Sequence, residues 1–401
     1  MESVASVFLP LGWEVIALET AGSDATYNWE KTDSDANSFK RKTIFPDRVF
    51  EEISPSEIRN KIYDVLNELR PDFMAIAGWG TEDSRACLDW CKRNKTKTIV
   101  MSETREIDGV RVWWKEWFKS RIVRKFDGGL CGGESHKKYL MKLGLQENRI
   151  EFGYNVVGNR FFSQKQNKCS GSANLQIPAP YFLASNRFVE RKNLARLIQA
   201  YAKYINSFQG SDFSSQENSN VWPLVLLGDG ELRGGLESLC RELGIKVFSF
   251  QDSVFSHKFQ DESKSLNIKS QAERGGVVFA GFRQIKELPS FYAGAGAFIH
   301  PALEEPWGLV INEAMASGLP VLSSNNVGAA ETLVINGKTG FVFDPINIAQ
   351  LSELMKRISL MPENYRLQMG SSAQNHLETV LPLNSFGEGL KNLWNKINSP
   401  N

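Results

Sequence analysis

The chain has 401 residues, of which 42% are hydrophobic and 23% charged, and these values are ordinary for folded globular proteins. At roughly 150 residues per domain, this length predicts two or three domains and excludes a wholly disordered, collagenous or coiled-coil protein. The 47 basic and 46 acidic residues give a net charge of +1. The sequence therefore lacks the overall basic character of a nucleic-acid-binding protein.

The five cysteines, at 87, 91, 131, 169 and 240, have no paired spacing that suits zinc, and they indicate reduced thiols rather than a disulfide framework. The sequence contains no run of 18 apolar residues, and no basic segment precedes an apolar stretch at the N-terminus. We therefore expect a cytoplasmic protein without a membrane-spanning helix or a secretory signal.

Short apolar runs alternate with helical patterns along the first half of the chain. The clearest helical pattern is 55–70, PSEIRNKIYDVLNELR, which carries one apolar stripe. The predicted strands of this half are 13–19, 73–79, 98–103, 128–133 and 150–155. Such alternation is typical of parallel β-α-β units.

A polar stretch at 163–180 interrupts this pattern, and we interpret it as an interdomain linker. The alternation then resumes, with predicted strands at 180–185, 223–228, 277–281, 297–301 and 320–324. We interpret the polar stretches 207–221 and 251–275 as surface insertions. The last periodic segment, 386–397, is predicted to be a closing helix, so the fold class is α/β with doubly wound sheets.

The densest chemical signal is HPALEEPWGLVINEAMASGLPV, from His300 to Val321. A glycine-containing loop that enters a helix presents free backbone N–H groups and the positive end of the helix dipole, which suits a phosphate. Glu305 lies before the predicted helix and Glu313 lies within it. Their carboxylates either accept hydrogen bonds from sugar hydroxyls or are ordinary solvated side chains.

The string EPWGLVINEAMASGLPV resembles the nucleotide-sugar loop of retaining GT-B glycosyltransferases of family 4, in which two Glu are separated by seven residues. NRFVERKNLARLIQAY (186–201), LVLLGDGELRGGLESL and VGAAETLVINGKTGFVFDP also resemble that family in order and spacing, so the resemblance covers about residues 150–395. It implies a GT-B fold, in which two Rossmann-like domains face each other across a cleft.

The resemblance also implies roles for individual residues. Arg187 and Lys192 would grip the donor diphosphate, Glu313 would bind the ribose and Glu305 the transferred sugar. The remaining implied donor contacts are the backbone N–H groups of Trp307, Gly308 and Leu309, the strand-end glycines Gly228 and Gly281, and His300. On the sequence alone, each glycine can equally be a tight turn, and His300 can equally be a hydrogen-bonded strand end.

Family members retain the anomeric configuration, and the resemblance implies that the departing phosphate helps to deprotonate the acceptor. No nucleophile, metal or cofactor is then required. Asp33, Ser34 and Asp35 mimic an Asp-x-Asp metal motif, but no strand adjoins them, so a solvated loop is expected. The four histidines lie in unrelated segments, so their spacing does not predict a metal cluster.

The acceptor is expected at the carboxyl ends of the strands of the first domain. The candidates there are Gly78, Trp79 and Glu103; many family members have a His after the corresponding strand where this sequence has Glu103 nearby. The acceptor is expected to be a glycan, a lipid-linked sugar or a small molecule, as in polysaccharide biosynthesis.

Residues 111–126, RVWWKEWFKSRIVRKF, combine aromatic and basic side chains. Trp113, Trp114, Trp117, Phe118 and Ile122 are predicted to share one helical face. From 105 to 125, seven basic and three acidic residues give +4. The segment is either a helix that binds an anionic membrane surface peripherally or an ordinary helix packed on the sheet with its basic side solvated or lining the acceptor cleft.

The chain opens with ESVASVFLPLGWEVIALE, which corresponds to the end of the family's first helix and its second strand. The first strand is therefore expected to be absent, through either a misassigned start or a shortened, impaired domain. The predicted domains are an acceptor domain at 1–165, a donor domain at 175–380 and a C-terminal helix at 381–401 that returns to the first domain. Two alternatives to a transferase remain. One is an inactive sugar-nucleotide-binding or scaffold protein. The other is a GT-B phosphorylase, although the chain is short for that group and has no candidate lysine motif for pyridoxal phosphate.

Overall fold

The computed structural model describes residues 1–24, 39–163, 177–208, 221–249 and 275–399. The chain forms two compact units. Unit 1 comprises Met1–Val156 together with Leu381–Asn401, and unit 2 comprises Val157–Val380. The segment 381–401, predicted to return to the first domain, thus belongs to unit 1.

Unit 1 alternates helices and strands. Its helices are α1 Glu2–Phe8, α2 Pro55–Leu69, α3 Glu82–Asn94, α4 Trp113–Val123, α5 Glu134–Lys142 and α14 Ser385–Asn398. Its strands are β1 Ile16–Ser23, β2 Lys40–Val49, β3 Phe73–Ala77, β4 Lys97–Ser102, β5 Gly128–Cys131 and β6 Ile150–Phe152.

The strands of unit 1 form two separate parallel sheets. β1 pairs with β2, with Ile16 opposite Lys40. The other sheet has the order β3-β4-β5-β6, and all of its pairs are parallel. α14 packs against α1, β5 and β6, which places the end of the chain on this sheet.

Unit 2 contains the remaining elements. Its helices are α6 Asn159–Ser163, α7 Leu194–Asn206, α8 Arg233–Glu242, α9 Leu288–Gly294, α10 Leu309–Ala316, α11 Gly328–Leu333, α12 Ile348–Ser359 and α13 Glu363–Val380. Its strands are β7 Tyr181–Ser185, β8 Leu224–Leu227, β9 Val247–Ser249, β10 Val277–Gly281, β11 Ala295–His300, β12 Val321–Ser324 and β13 Gly340–Phe343.

These seven strands form one parallel sheet with the order β13-β12-β11-β7-β8-β10-β9. The first strand of the unit, β7, lies between β8 and β11, so the order reverses at β7 and makes the sheet doubly wound. In open α/β sheets, ligands bind outside the carboxyl ends of the strands at this kind of switch point.

Local sequence explains where several helices begin. Ser54 caps α2 by accepting a hydrogen bond from the backbone N–H of Glu57 at 3.3 Å, and Pro55 occupies the first turn. Asn347 caps α12 in the same way, accepting from Gln350 at 3.0 Å. Both helices bury one apolar face, which is the amphipathic pattern of a helix on a sheet.

The predicted elements differ from the structure in two respects. β2, β9 and β13 were not predicted from the sequence, and each lies at the edge of a sheet. The predicted first domain ended at 165, but α6 packs against α9 and α10 in unit 2, so the division falls earlier. The rest of the predicted linker, 164–176, lies outside the described residues, as do most of the two predicted insertions.

Candidate donor site and its relatives

The turn between β7 and α7 brings a cluster of cations to the carboxyl end of the sheet. The turn ends at Asn193, which has left-handed backbone geometry (φ 60°). The Asn193 side-chain amide donates hydrogen bonds to the carbonyls of Pro301, at 3.0 Å, and Pro345, at 2.8 Å. These two bonds hold the turn against the loops that follow β11 and β13.

Glu305 lies at the centre of this cluster. Its Oε2 contacts the Lys192 ammonium, and His300 Nε2 is 3.3 Å from the same oxygen. The Arg191 guanidinium is 3.9 Å from Glu305 Oε1. The Glu305 backbone carbonyl accepts a hydrogen bond from Gly328 at 3.0 Å, so the start of α11 fixes the loop. The structure thus brings together three residues that the sequence singled out, Lys192, His300 and Glu305.

Burial and neighbouring charges shift the pKa values of these groups. Burial, together with the neighbouring Arg191 and Arg187 guanidiniums, lowers the pKa of Lys192 to about 7. Burial also lowers the pKa of His300 well below its ordinary value, and Lys192 and Arg191 add to this effect. His300 is therefore neutral, and its contact with the Glu305 carboxylate places the imidazole proton on Nε2. The positive charges are close together, and an anion would relieve their repulsion.

The predicted phosphate loop leads directly into α10. Gly308 precedes the helix with φ 97°, and a Cβ there would lie 3.1 Å from Val327 and 3.2 Å from Glu305. Trp307 is fully buried, and its indole N–H donates to Asn312 at 3.0 Å. The Trp307 side chain therefore anchors the loop, while Leu309 begins the helix and is 41% exposed.

Glu313 lies within α10 and forms a hydrogen bond with a residue that the sequence did not single out. The Tyr292 hydroxyl donates to Glu313 at 2.7 Å. Burial raises the pKa of Glu313, the bond from Tyr292 opposes this effect, and the resulting pKa is about 7. This carboxylate is costly to ionise in the free protein, and additional hydrogen-bond donors would stabilise its charge.

Gly228 and Gly281 end β8 and β10 at the same edge of the sheet. They form an isolated bridge, in which the Gly228 N–H donates to the Gly281 carbonyl at 2.9 Å. Gly228 has φ 124°, and a Cβ there would lie 1.9 Å from the Asn186 carbonyl oxygen. Backbone packing alone thus requires glycine at 228. Gly281 has φ 74° with open space around its Cα, and left-handed geometry favours glycine there.

Two further polar groups of unit 2 were missed by sequence reasoning. Arg191 reaches Glu305 as described, and its only signal was its position beside Lys192. Asn186 is 9% exposed, and its side-chain amide has no hydrogen-bond partner among the described residues. It lies next to Arg187, which is exposed. Buried amides normally have partners, so Asn186 is a candidate ligand contact.

The candidate acceptor residues lie in unit 1. Gly78 follows β3 with φ 66°, and its N–H donates to Met101 at 2.8 Å. Glu103 follows β4, and burial raises its pKa. Burial, together with the Glu103 charge, raises the pKa of Tyr154 to about 12. Trp79 is only 8% exposed and packs in the hydrophobic core of the unit; its assignment as an acceptor contact stays a prediction.

The aromatic segment forms α4, whose only buried residue is Val123. Trp113 is 81% exposed, and Trp114, Trp117 and Phe118 are 47%, 49% and 57% exposed. The expectation of a helix packed through its aromatic face is therefore wrong, because that face is open to solvent. Two of the cations lie beside the aromatic rings rather than away from them. Arg121 is 4.7 Å from the centroid of Trp117, and Lys115 is 5.4 Å from that of Trp114.

Among the described residues, no group of three or more His, Cys, Asp or Glu is arranged to hold a metal ion. Asp33, Ser34 and Asp35 lie outside those residues. No helix in the described part of the chain is both long and apolar enough to cross a membrane.

Residues 172–376, more than half of the chain, match the family described as Glycosyl transferases group 1. The chain therefore belongs to this family, and its fold is GT-B. A sucrose synthase from Solanum tuberosum is 25% identical over 210 residues, which cover 52% of this chain and 23% of that protein. This chain thus matches about a quarter of the length of that relative.

Two further comparisons are with a curated glycosyltransferase and with a solved structure. The lipopolysaccharide core biosynthesis glycosyltransferase LpsE of Rhizobium meliloti is 29% identical over 174 residues, which cover 43% of this chain and 38% of that protein. The crystal structure of Anabaena HepE in complex with UDP and glucose is similar in fold. It has a TM-score of 0.61 and 15% identity, and the match covers 88% of this chain and 85% of HepE.

Proposed function

We propose that this protein is a retaining, metal-independent glycosyltransferase that transfers a sugar from a nucleotide-sugar donor to a hydroxyl group of a glycan, a lipid-linked sugar or a small molecule. The observation that carries the proposal is the buried cluster of Lys192, Glu305 and His300, at the carboxyl edge of the sheet and next to the start of α10. Its family membership agrees with this reading.

The cations of this cluster suit a leaving diphosphate. In the reaction, the bond between the anomeric carbon and the phosphate oxygen breaks and negative charge grows on the diphosphate. Fixed cations and backbone N–H groups stabilise such charge best when they are already in place. Lys192 and Arg187 would bind the phosphates, as would the backbone N–H groups of Trp307, Gly308 and Leu309.

Carboxylates and neutral polar groups would position the two sugars of the donor. Glu313 would accept hydrogen bonds from the ribose hydroxyls, because its buried carboxylate is stabilised by new donors. Glu305 and His300 would contact hydroxyls of the transferred sugar. Asn186 would add an amide contact to the donor, and Gly228 and Gly281 would let the base and ribose approach the strand ends.

Acceptor chemistry would depend on unit 1. Glu103 would accept a hydrogen bond from an acceptor hydroxyl, next to Gly78. The acceptor oxygen forms the new bond to the anomeric carbon on the face from which the phosphate departs, and its proton passes to the leaving phosphate. This route needs no enzyme nucleophile and no metal, and it retains the anomeric configuration.

UDP is the nucleotide we propose to test first, because the similar HepE structure contains UDP and glucose. We also propose that the protein acts on the cytoplasmic face of a membrane and binds its anionic lipids through α4. The exposed tryptophans and neighbouring cations support this assignment, since aromatic rings and basic side chains suit the headgroup region of an anionic bilayer.

The test of retention uses water as the acceptor, so it does not require the natural acceptor. The protein is incubated with UDP-glucose, GDP-glucose and ADP-glucose, and proton NMR follows the first glucose released. We expect one donor to give α-glucose before mutarotation. Initial release of β-glucose would contradict retention. A Glu305→Gln variant is expected to lose this activity while its melting temperature stays close to that of the wild type.

One observation favours a second function. The described strands of unit 2 form one continuous seven-stranded sheet, whereas those of unit 1 form two separate sheets. A protein with a continuous donor sheet and a divided acceptor sheet would bind a nucleotide sugar without transferring it. Nucleotide binding without release of any sugar from the three donors would support this reading over the transferase.

A further inference from the structure

The buried phenol of Tyr292 has no role in the reaction as proposed above. Tyr292 is 0% exposed, so it does not touch a bound nucleotide itself. Its hydroxyl donates to Glu313 Oε2 at 2.7 Å. Among the described residues, this hydroxyl is the one hydrogen-bond donor to the Glu313 carboxylate. Tyr292 can therefore act on a ligand through Glu313.

The ring of Tyr292 is fixed by its packing. Phe162 of α6 meets it edge-on, with the ring centroids 5.7 Å apart, and the centroid of Phe298 in β11 is 5.8 Å away. The helix α9 is held in turn by the Tyr181 hydroxyl, which donates to the Phe291 carbonyl at 2.6 Å. Because close-packed side chains have few alternative rotamers, the phenol oxygen keeps one position.

A second hydrogen bond sets the direction in which the phenol donates. The hydroxyl of Ser185, the last residue of β7, hydrogen-bonds the same phenol. A phenol has one proton to donate and can also accept, whereas an ionised carboxylate only accepts. Since the Tyr292 proton points to Glu313, Ser185 must donate to the phenol oxygen. The bonds therefore run from Ser185 through Tyr292 to Glu313 and connect the end of β7 to α9 and α10.

This arrangement leaves acceptor sites free on Glu313. Tyr292 uses one site on Oε2, and a carboxylate accepts about four hydrogen bonds in all. Two adjacent hydroxyl groups, such as those of a ribose, fit the sites that remain. Burial raises the pKa of Glu313, and the bond from Tyr292 opposes this effect. The bond thus favours the charged carboxylate, which accepts from both hydroxyls, over the protonated form.

From the hydrogen bond to Glu313 and the buried, packed ring, we propose that Tyr292 is a positioning residue that orients Glu313 for a ribose and thereby makes the donor site select ribonucleotides over 2′-deoxyribonucleotides. This inference rests on the proposed function, because it takes Glu313 as the ribose contact. A site built to hydrogen-bond a hydroxyl binds an analogue without that hydroxyl much more weakly. Tyr292 thus determines which pentose the donor carries without touching it.

The test measures the binding of matched ribonucleotides and deoxyribonucleotides by calorimetry. The full chain is titrated with UDP, GDP and ADP and with the 2′-deoxy form of each. The readout is the ratio of the two dissociation constants for the base that binds. Tyr292→Phe removes the hydroxyl and keeps the ring. Tyr201→Phe is the matched control, because Tyr201 is also 0% exposed and its hydroxyl donates to the Trp222 carbonyl at 2.9 Å.

We expect the wild type to bind the ribonucleotide about tenfold to a hundredfold more tightly than its deoxy form. Tyr292→Phe should weaken ribonucleotide binding by about tenfold and deoxyribonucleotide binding by less, so that the ratio falls toward one. Tyr201→Phe should keep the wild-type ratio, although it also loses a buried hydrogen bond.

An unchanged ratio in Tyr292→Phe would overturn the proposal even if both affinities fell, because a general loss of structure weakens both ligands equally. A ratio near one in the wild type, or an equal fall in Tyr201→Phe, would overturn it as well. In these three cases the binding of a nucleotide would still support the proposed function. If none of the six nucleotides binds the wild type, both the inference and the proposed function are wrong.

Discussion

Lys192 and Glu305 are 113 residues apart in the chain and meet at the carboxyl edge of the sheet of unit 2. The sequence motifs identified both residues, because each lies in a short string whose order and spacing resemble the family. Their contact follows from the sheet order, in which β7 and β11 are neighbours. The position of Lys192 against Glu305 also explains how a buried ammonium is held before an anionic ligand arrives.

The pKa of Glu313 leads to a prediction about stability. Burial raises this pKa from 4.5 to about 7. The contribution of the protonated carboxyl to the free energy of unfolding is therefore fully present below the ordinary pKa of 4.5 and is lost as the pH rises through about 7. Each pKa unit corresponds to about 1.4 kcal/mol, so ionisation costs on the order of 3 kcal/mol at about pH 8. We expect Glu313→Gln to melt at a higher temperature than the wild type at about pH 8.

The same two proteins should melt at similar temperatures at about pH 5, where the Glu313 carboxyl is protonated. Thermal unfolding followed by circular dichroism across this pH range is the measurement. Glu378→Gln on α13, an exposed position, is the matched control and should follow the wild type. A Glu313→Gln variant with an unchanged pH profile would contradict the burial of an ionisable carboxyl at this position.

Sequence reasoning singled out the motif residues of the candidate donor site but not all of their hydrogen-bond partners. Glu305, Glu313, Lys192 and His300 lie in recognisable motifs, whereas Tyr292 is one aromatic residue in the helix α9. Its role depends on a hydrogen bond that crosses from α9 to α10. The sequence also did not predict that Trp79, which closely follows a strand, packs into the core, because core packing depends on residues that are distant in the chain.

At the scale of elements, the start of α10 depends on one glycine. Gly308 has a positive φ of 97°, and an added Cβ would also press on Val327 and Glu305. We expect Gly308→Ala to destabilise the protein by about 1 to 3 kcal/mol. Gly234→Ala in α8 is the control, and it is expected to stabilise the protein. The surroundings of Gly234 are open, and alanine favours a helix over glycine by about 1 kcal/mol. Chemical denaturation of both variants checks the pair.

The exposed aromatic surface of α4 leads to a prediction about membrane binding. Trp113→Ala with Trp117→Ala should weaken binding to vesicles of phosphatidylcholine and phosphatidylglycerol by about tenfold or more, because two exposed aromatic side chains are removed. Leu360→Ala with Leu367→Ala, exposed apolar positions in unit 2, is the matched control. Co-sedimentation with vesicles measures both variants. The assignment would be contradicted if the tryptophan variant bound the vesicles as well as the wild type does. It would also be contradicted if the wild type bound vesicles of pure phosphatidylcholine as well as those that contain phosphatidylglycerol.

The strands that the sequence did not predict are edge strands. β2 reads KRKTIFPDRV, in which five charged residues and Pro46 hide the apolar pattern, and such residues are typical of edges that must not pair further. β9 has three residues, and β13 begins with glycine. Central strands such as β7 and β8 are continuous apolar runs and were predicted. The conformation of an edge strand depends on its pairing with a neighbouring strand. The local sequence pattern does not predict that pairing.

At the scale of the whole molecule, the two units differ in the continuity of their described sheets. The sequence predicted two α/β units and the return of the last helix to the first of them. The structure adds a cavity in unit 1 whose walls include residues of β1 and β3. The volume and walls of this cavity depend on packing between distant segments and could not be predicted from local patterns. The described sheet of unit 2 is continuous, so its candidate donor site can be tested by itself.

The most direct test of the central claim is calorimetric titration of the full chain with UDP, GDP and ADP. We expect one of these nucleoside diphosphates to bind, and Lys192→Met to weaken that binding by about tenfold to a hundredfold, as expected when a charge-assisted hydrogen bond is lost. Lys203→Met, an exposed position on α7, should bind like the wild type. If no diphosphate binds, or if Lys192→Met binds as tightly as the wild type, the proposed donor site is wrong.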